Sequence, residues 1–381
     1  MTNQQLLQNT PAPESQTQPP KQRRRWTRRA FLWAGGIFGA SAMTGTAFGL
    51  KLSSPGYSGQ LSDHFNGKRF HNPNEGARGF LDFLKWMNER QPGHWSEFRQ
   101  VTPAAPPPKR VGKGELRLTF VNHTTVLIQM DGVNILTDPV WSQRISPVTW
   151  AGPKRHAGVG LRMQDLPPID LILLSHNHYD HCDVATLSTL ARVHRPQILT
   201  PLGNTALLNA YGIGGGQDMD WWDSVTTRNG LRVTCTPAWH FSNRGLFDRD
   251  TSLWGGFVIS SDAGDVYFAG DTGFGDFFAE IAARFPRIRM SLLPIGAYRP
   301  RWFMSAVHMG PDEAVKAHQM LKTEWSMGVH FGTFAQADDG EKEPVELLNA
   351  TLDTLAISRE RFRALENGGV WELGRQQGDT P

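Results

Sequence analysis

One stretch constrains this chain more than any other: Leu173-Leu174-Ser175-His176-Asn177-His178-Tyr179-Asp180-His181. Three imidazoles and one carboxylate fall within six residues, directly after an apolar run, Leu171–Leu174, that reads as a β-strand. In an extended segment, residues two apart point to the same side. His176 and His178 therefore aim at one point, and Asp180 and His181, further along, can aim at a second. Four such side chains are costly to bury unless each nitrogen and oxygen finds a partner. Isolated histidines are ordinarily surface or core residues, and His64, His71, His94, His156, His194 and His318 read that way. The clustered set reads as metal ligands, because neutral imidazole and carboxylate are donors that zinc accepts.

Four ligands cannot fill two sites, so more are expected downstream. Three residues follow the same rule of sitting just past a strand: His240 after Leu231–Cys235, Asp271 after Val266–Ala269, and His330 after Met327–Val329. Glycines near Asp271 and His330 let backbone or substrate approach closely. A single carboxylate can bridge two metals about 3.5–4 Å apart, and Asp271 is the candidate.

Further strands are read at Leu116–Val121, Val126–Met130, Val133–Thr137, Phe257–Ser260 and Ser291–Leu293. Asp131-Gly132 makes a tight turn between two of them. Phe80, Phe83, Leu84 and Met87 lie at helical spacing within 76–90, and Pro311–Lys322 reads as a helix with Asp312 and Glu313 in its first turn. Strands in hairpins interspersed with helices suit two mixed sheets covered by helices. The 39 glycines and 25 prolines in 381 residues fit such a loop-rich enzyme better than a helix bundle. Two cysteines, Cys182 and Cys235, exclude a disulfide framework and a four-cysteine zinc ribbon. Cys182 reads as a bystander beside His181.

The histidine and aspartate order resembles the metallo-β-lactamase superfamily of dinuclear zinc hydrolases. The resemblance implies an α/β fold, the αββα sandwich, with two mixed β-sheets flanked by helices and the metals at one sheet edge. Leu136-Thr137-Asp138-Pro139, Ala151-Gly152-Pro153-Lys154-Arg155, Leu166-Pro167-Pro168-Ile169-Asp170, Asp220-Trp221-Trp222, Pro294-Ile295-Gly296-Ala297-Tyr298 and Pro300-Arg301-Trp302-Phe303-Met304 resemble one branch, the N-acyl-phosphatidylethanolamine-hydrolysing phospholipases D. By that likeness two Zn2+ ions bind per chain. His176, His178 and His240 hold one, Asp180, His181 and His330 hold the other, and Asp271 bridges. His308 matches a histidine near the scissile phosphate. Asn122-His123-Thr124-Thr125 departs from the branch, which has a glycine before the histidine and a small residue after it.

The chemistry implied is hydrolysis of N-acyl-phosphatidylethanolamine to N-acylethanolamine and phosphatidic acid. Two zinc ions bring a shared water near neutrality in pKa, and the resulting hydroxide attacks phosphorus without a Ser or Cys nucleophile. Asp180, Asp271 and His308 are the expected catalytic groups, with His308 bonding the phosphate or protonating the leaving oxygen. Arg301 and Trp302 are the further candidates for substrate binding, and Trp221, Trp222, Phe303 and Met304 for an acyl cleft or a membrane face. A lactone or β-lactam hydrolase using the same dinuclear site is the enzymatic rival. A membrane-tethered regulatory protein with a vestigial fold is the non-enzymatic rival, opposed by the presence of all seven ligands. The expected partners are a phospholipid and a membrane surface, with a homodimer also open.

The domain reading places a disordered basic leader at 1–29, an apolar segment at 30–50, a helical and Pro-rich extension at 51–110, and the hydrolase domain at 111–375. Six basic residues against Glu14 give the first 29 residues a charge of +5, so a whole-chain charge of +3 leaves the remainder at -2. The basic character belongs to the leader, and no basic nucleic-acid-binding domain is indicated. Thr27-Arg28-Arg29-Ala30-Phe31-Leu32 resembles the twin-arginine export motif, and no charge follows until Lys51. The expected location is the periplasm, or the periplasmic face of the inner membrane if the 21 uncharged residues stay as an anchor. A fusion of residues 1–50 to a reporter active only outside the cytoplasm should score positive. It should fall silent when Arg28 and Arg29 both become Lys; export surviving that change would rule out the twin-arginine route.

Overall fold

A computed structural model of the chain describes residues 53–73 and 78–374. The leader and apolar segment expected at 1–29 and 30–50 lie outside the described residues. The first sheet takes β1 (Leu116–Asn122), β2 (Thr125–Met130), β3 (Val133–Thr137), β4 (Leu171–Leu173), β5 (Gln197–Pro201) and β6 (Gly216–Met219). The second takes β7 (Ser224–Thr226), β8 (Arg232–Thr236), β9 (Gly256–Ser260), β10 (Asp265–Phe268), β11 (Ile288–Pro294), β12 (Trp325–Val329) and β13 (Phe362–Arg363). A final strand, β14 (Val370–Leu373), returns to the first sheet beside β1. The orders are β14-β1-β2-β3-β4-β5-β6 and β13-β12-β11-β10-β9-β8-β7. Each sheet is part antiparallel and part parallel, with β3 to β6 parallel in the first and β10 to β13 parallel in the second.

The strand sequences explain the layering. Leu118, Phe120, Ile128, Ile135 and Leu173 face Val233, Phe257, Phe268, Leu292 and Met327 between the sheets. Their alternate neighbours Leu127, Leu136 and Ile172 turn outward onto α2 (Val184–His194) and α3 (Asn204–Ala210), while α1 (Phe80–Glu89) belongs to the N-terminal extension. On the second sheet Val258, Tyr267 and Leu293 meet α4 (Phe277–Arg284), α6 (Pro311–Leu321) and α7 (Glu343–Thr354), with the short α5 (Arg301–Met304) between. Strands covered on both faces read as unbroken apolar runs, which is why the central ones stand out in the sequence. The β2–β3 turn is two residues, with Asp131 at φ 49 and Gly132 at φ 78, the left-handed pair that a right-twisted hairpin requires.

The expected helix at 76–90 is Phe80–Glu89, and the other described residues of the extension are irregular chain tied to the main domain. Phe65 and Phe70 are buried with Ala238, Leu253 and Trp254. His64 stacks on Trp221 at 4.4 Å and bonds Asp63 and Asp220 at 2.6 and 2.7 Å. Burial opposes its charge, but the two carboxylates prevail and raise its pKa. Trp86 stacks on Phe303 at 5.0 Å, fixing α1 to α5.

Phe268 is fully buried between the sheets, whereas Trp150 is 79% exposed. Phe268→Ala should cost about 3–5 kcal/mol, read as a lower urea midpoint at unchanged slope. Trp150→Ala should leave the midpoint within about 0.5 kcal/mol of wild type.

Candidate metal centre

Every expected ligand lies just beyond the carboxyl end of a strand. The His176–His181 run follows β4, His240 follows β8, Asp271 follows β10 and His330 follows β12. The two sheets thus deliver their strand ends to one edge. The approach is close enough that a Cβ on Gly270, at φ 63, would stand 2.6 Å from the Ser175 side chain. His123, Asp138 and His330 also hold left-handed backbone, at φ 49, 32 and 61. Non-glycine residues adopt it at a cost that surrounding contacts must offset, and here three gather at one place.

The first donor group is His176, His178 and His240. His176 Nε2 stands 2.7 Å from His178 Nδ1, and His240 Nε2 stands 3.2 Å from the same atom. The rings are oriented from behind. His176 Nδ1 donates to Ser175 Oγ at 2.9 Å, and that hydroxyl donates to Asp138 Oδ2 at 2.6 Å. His240 Nδ1 donates to the Val307 carbonyl at 2.9 Å. Each bond leaves the inward Nε2 as a lone pair, the form a metal needs.

The second group is Asp180, His181 and His330. His181 Nδ1 donates to Asp138 Oδ2 at 2.6 Å, which points Nε2 inward. That Nε2 lies 3.1 Å from both Asp180 Oδ2 and Asp271 Oδ2, yet has hydrogen-bond geometry to neither. His330 Nε2 lies 3.0 Å from Asp271 Oδ2 and 3.3 Å from Asp180 Oδ2. Asp271 stands between the groups: its Oδ2 is 3.8 Å from His240 Nε2, and its buried Oδ1 has no partner. With His181 Nε2 and Asp271 Oδ1 left unpartnered among converging buried donors and acceptors, the arrangement is the one expected of metal ligands, and the donor set fits bound metal.

The electrostatics separate the groups. Burial pushes His178 and His240 down to about 3 and His176 well below its ordinary value, so all three are neutral at physiological pH. Burial also opposes charge on His181 and His330, but Asp271 and Asp180 outweigh it, raising His181 well above its ordinary value and His330 to about 9. Burial likewise works against the Asp180 and Asp271 carboxylates, yet the neighbouring histidines hold both well below the carboxylate range.

The other expected site residues fall at varying distance. His308 is at the cluster, with Nδ1 3.9 Å from Asp271 Oδ2 and no hydrogen-bond partner. Arg301 pairs with Glu313 at 2.5 Å, and Trp302 is 36% exposed beneath Lys85. Trp302 lines a surface cavity of about 320 Å³ with Trp86, Arg299 and Asp338. Trp221 donates to the Trp254 carbonyl and Trp222 lies under Arg284, so both are held by packing. Cys182 is buried, and burial pushes its thiol up to about 11, in keeping with a bystander.

Three residues at the centre escape the sequence reading. His123 Nε2 bonds Asp180 Oδ2 at 3.0 Å, and Gln336 donates to the same oxygen at 2.8 Å. Arg244 donates to the carbonyls of Asn177 and Cys182, gripping the ligand run at two points. The one available signal was at His123, a histidine confined to the turn between two legible strands.

A family profile described as a beta-lactamase superfamily domain matches residues 133–331. The chain belongs to the metallo-β-lactamase superfamily. An N-acyl-phosphatidylethanolamine-hydrolyzing phospholipase D of Caenorhabditis elegans is 33% identical over 332 residues, 81% of this chain and 93% of that protein. A metal-dependent hydrolase of Methanopyrus kandleri is 29% identical over 237 residues, 60% of this chain and 89% of that one. Among solved structures, a metallo hydrolase of Ignicoccus hospitalis superposes with TM-score 0.52 at 22% identity, covering 69% of this chain and 100% of that one. As a member of the superfamily with this cluster, the protein is a metal-dependent hydrolase.

Below about pH 9 His330 carries a proton in the metal-free protein, and an arriving cation must displace it. Metal binding should therefore release protons and weaken as pH falls. Titration calorimetry in two buffers of different ionisation enthalpy reads the release; identical heats in both would refute it.

Proposed function

We propose that the protein is a zinc-dependent phosphodiesterase of phospholipase D type, cleaving N-acyl-phosphatidylethanolamine into N-acylethanolamine and phosphatidic acid. The observation that carries this reading is His308: an unpartnered ring nitrogen 3.9 Å from the carboxylate shared by two ligand groups. The similarity to the worm enzyme along most of the chain supports the choice of substrate.

Bound zinc would supply Lewis acidity, lowering the pKa of water and neutralising the charge that develops on phosphate. His176, His178 and His240 would hold one ion, Asp180, His181 and His330 the other, with Asp271 shared. Burial pushes His308 down to about 3, so at working pH its neutral ring offers one N–H to a phosphate oxygen. In the reaction a water oxygen joins phosphorus, the bond from phosphorus to the ethanolamide oxygen breaks, and a water proton ends on that leaving oxygen. No side-chain nucleophile takes part, which agrees with the protonated, buried state of Cys182.

A membrane surface, reached after export to the periplasm, is the setting we assign. Leu81, Leu84 and Met87 of α1 are exposed at 79%, 46% and 47%, and α1 is stacked onto the helix that carries Trp302. Arg301 is placed to meet a lipid headgroup only by exchanging Glu313 for it. Among the described residues no helix is long and apolar enough to cross a membrane.

In labelled water the label should appear in phosphatidic acid; label in the ethanolamide would mean carbon–oxygen cleavage and overturn the mechanism. Asp271→Asn should lower turnover by orders of magnitude, because a neutral amide bridges two cations poorly. His308→Ala should retain its metal yet lose lipid turnover, and loss of metal would refute its assignment to substrate. A panel in which lactones turn over and phosphodiesters do not would replace the proposed substrate class.

A further inference from the structure

The main-chain groups of His240 are held by a residue outside the ligand set. His240 is fully buried in the loop beyond β8, and among the described residues no other main-chain group bonds its N–H or its C=O. Both are satisfied by one side chain from the N-terminal extension. Asn72 Nδ2 donates to the His240 carbonyl at 2.8 Å, and the His240 N–H donates to Asn72 Oδ1 at 3.2 Å. Trp254 Nε1 donates to that same oxygen at 3.1 Å. Only one orientation of the amide allows all three bonds, so the side chain is fixed rather than free to flip. It sits two residues beyond Phe70, which is buried beside Trp254 and Ala238 and whose N–H bonds the Asp250 carbonyl at 2.8 Å.

We infer that Asn72 is a positioning residue for the His176–His178–His240 metal subsite. It reaches the centre from outside the superfamily match at 133–331. The division of labour is geometric. The Val307 carbonyl sets the rotation of the His240 ring through Nδ1. The Asn72 amide sets the backbone from which that ring projects, and so the distance of Nε2 from His176 and His178. His176 and His178 belong to a single short run just past a strand, whereas His240 arrives alone on a separate loop. It is the member of the trio whose place depends on an outside support. The extension is therefore part of the metal site and not an accessory to the domain.

The inference rests on the metal reading of the cluster and not on the substrate. The experiment uses the full chain, freed of metal and titrated with cobalt(II) against a competing chelator. Absorption bands report the geometry at cobalt, and thermal melts of the metal-free protein report the fold. Asn72→Leu keeps the volume and removes both bonds. It should bind one of two ions about 10–100-fold more weakly, shift the cobalt spectrum and leave the second ion unchanged, and it should also lower the metal-free melt, because two buried main-chain groups lose their partner. If the core rejects leucine, Asn72→Ser gives the same readout, being too short to bond both backbone groups. A folded variant with wild-type affinity and spectrum, or one with only a lowered melt, would overturn the positioning role. Failure of the wild type to bind cobalt would instead overturn the metal reading itself, and the inference with it.

Discussion

Asp271 is the one charged contact on which the rest of the centre depends. A carboxylate so deeply buried costs several kcal/mol unless it is compensated, and His181 and His330, at 3.1 and 3.0 Å, supply the compensation. Each of those histidines is in turn surrounded by buried neighbours, and among the described residues nine ionisable side chains gather at one edge in four overlapping groups. Two sheets bring them there because ligands placed just after parallel or adjacent strands emerge on the same side. The apolar interior between the sheets lends rigidity to a cluster that would otherwise relax or hydrate.

Much of this was legible in the sequence, for a physical reason. Strands buried on both faces carry short apolar runs, such as Val126-Leu-Ile128 in β2 and Phe257-Val-Ile259 in β9, and the ligand rule of a polar residue just past such a run found His240, Asp271 and His330. Four of the strands that escaped, β6, β7, β13 and β14, lie at sheet edges; the fifth, β5, is interior but has only Ile198-Leu199 as its apolar run. In β6, Gly216-Gln-Asp-Met219, only Met219 is buried, and β7 is Ser224-Val-Thr226 with both ends exposed. Such segments carry no apolar signature, and only their neighbours make them strands. The same limit explains His123. A single histidine beside a strand has no spacing to betray it, and its bond to Asp180 spans 57 positions. Gln336 and Asn72 lie further off still, joined to their partners across 156 and 168 positions.

The N-terminal extension clasps the domain on two sides. Residues around Phe65 and Phe70 fill a small apolar cluster beside the His240 loop. Residues 90–99 instead bond the segment that follows His330: Arg90 with Asp338, Trp95 with the Asp339 carbonyl, and Arg99 with Glu341. The loop that carries His240 and the segment after His330 are thus backed by chain from outside the superfamily match, while the short His176–His181 run is gripped by Arg244.

Asp138 has a wider reach than its place behind the ligands implies. Its Oδ2 accepts from His181 Nδ1 directly and from Ser175 Oγ, which in turn accepts from His176 Nδ1; its Oδ1 accepts from the Ser175 N–H. One carboxylate therefore steers a ligand of each subsite. The two donor groups share one buried acceptor. A change at Asp138 would reach a histidine of each group at once, which makes the two groups one unit at their base.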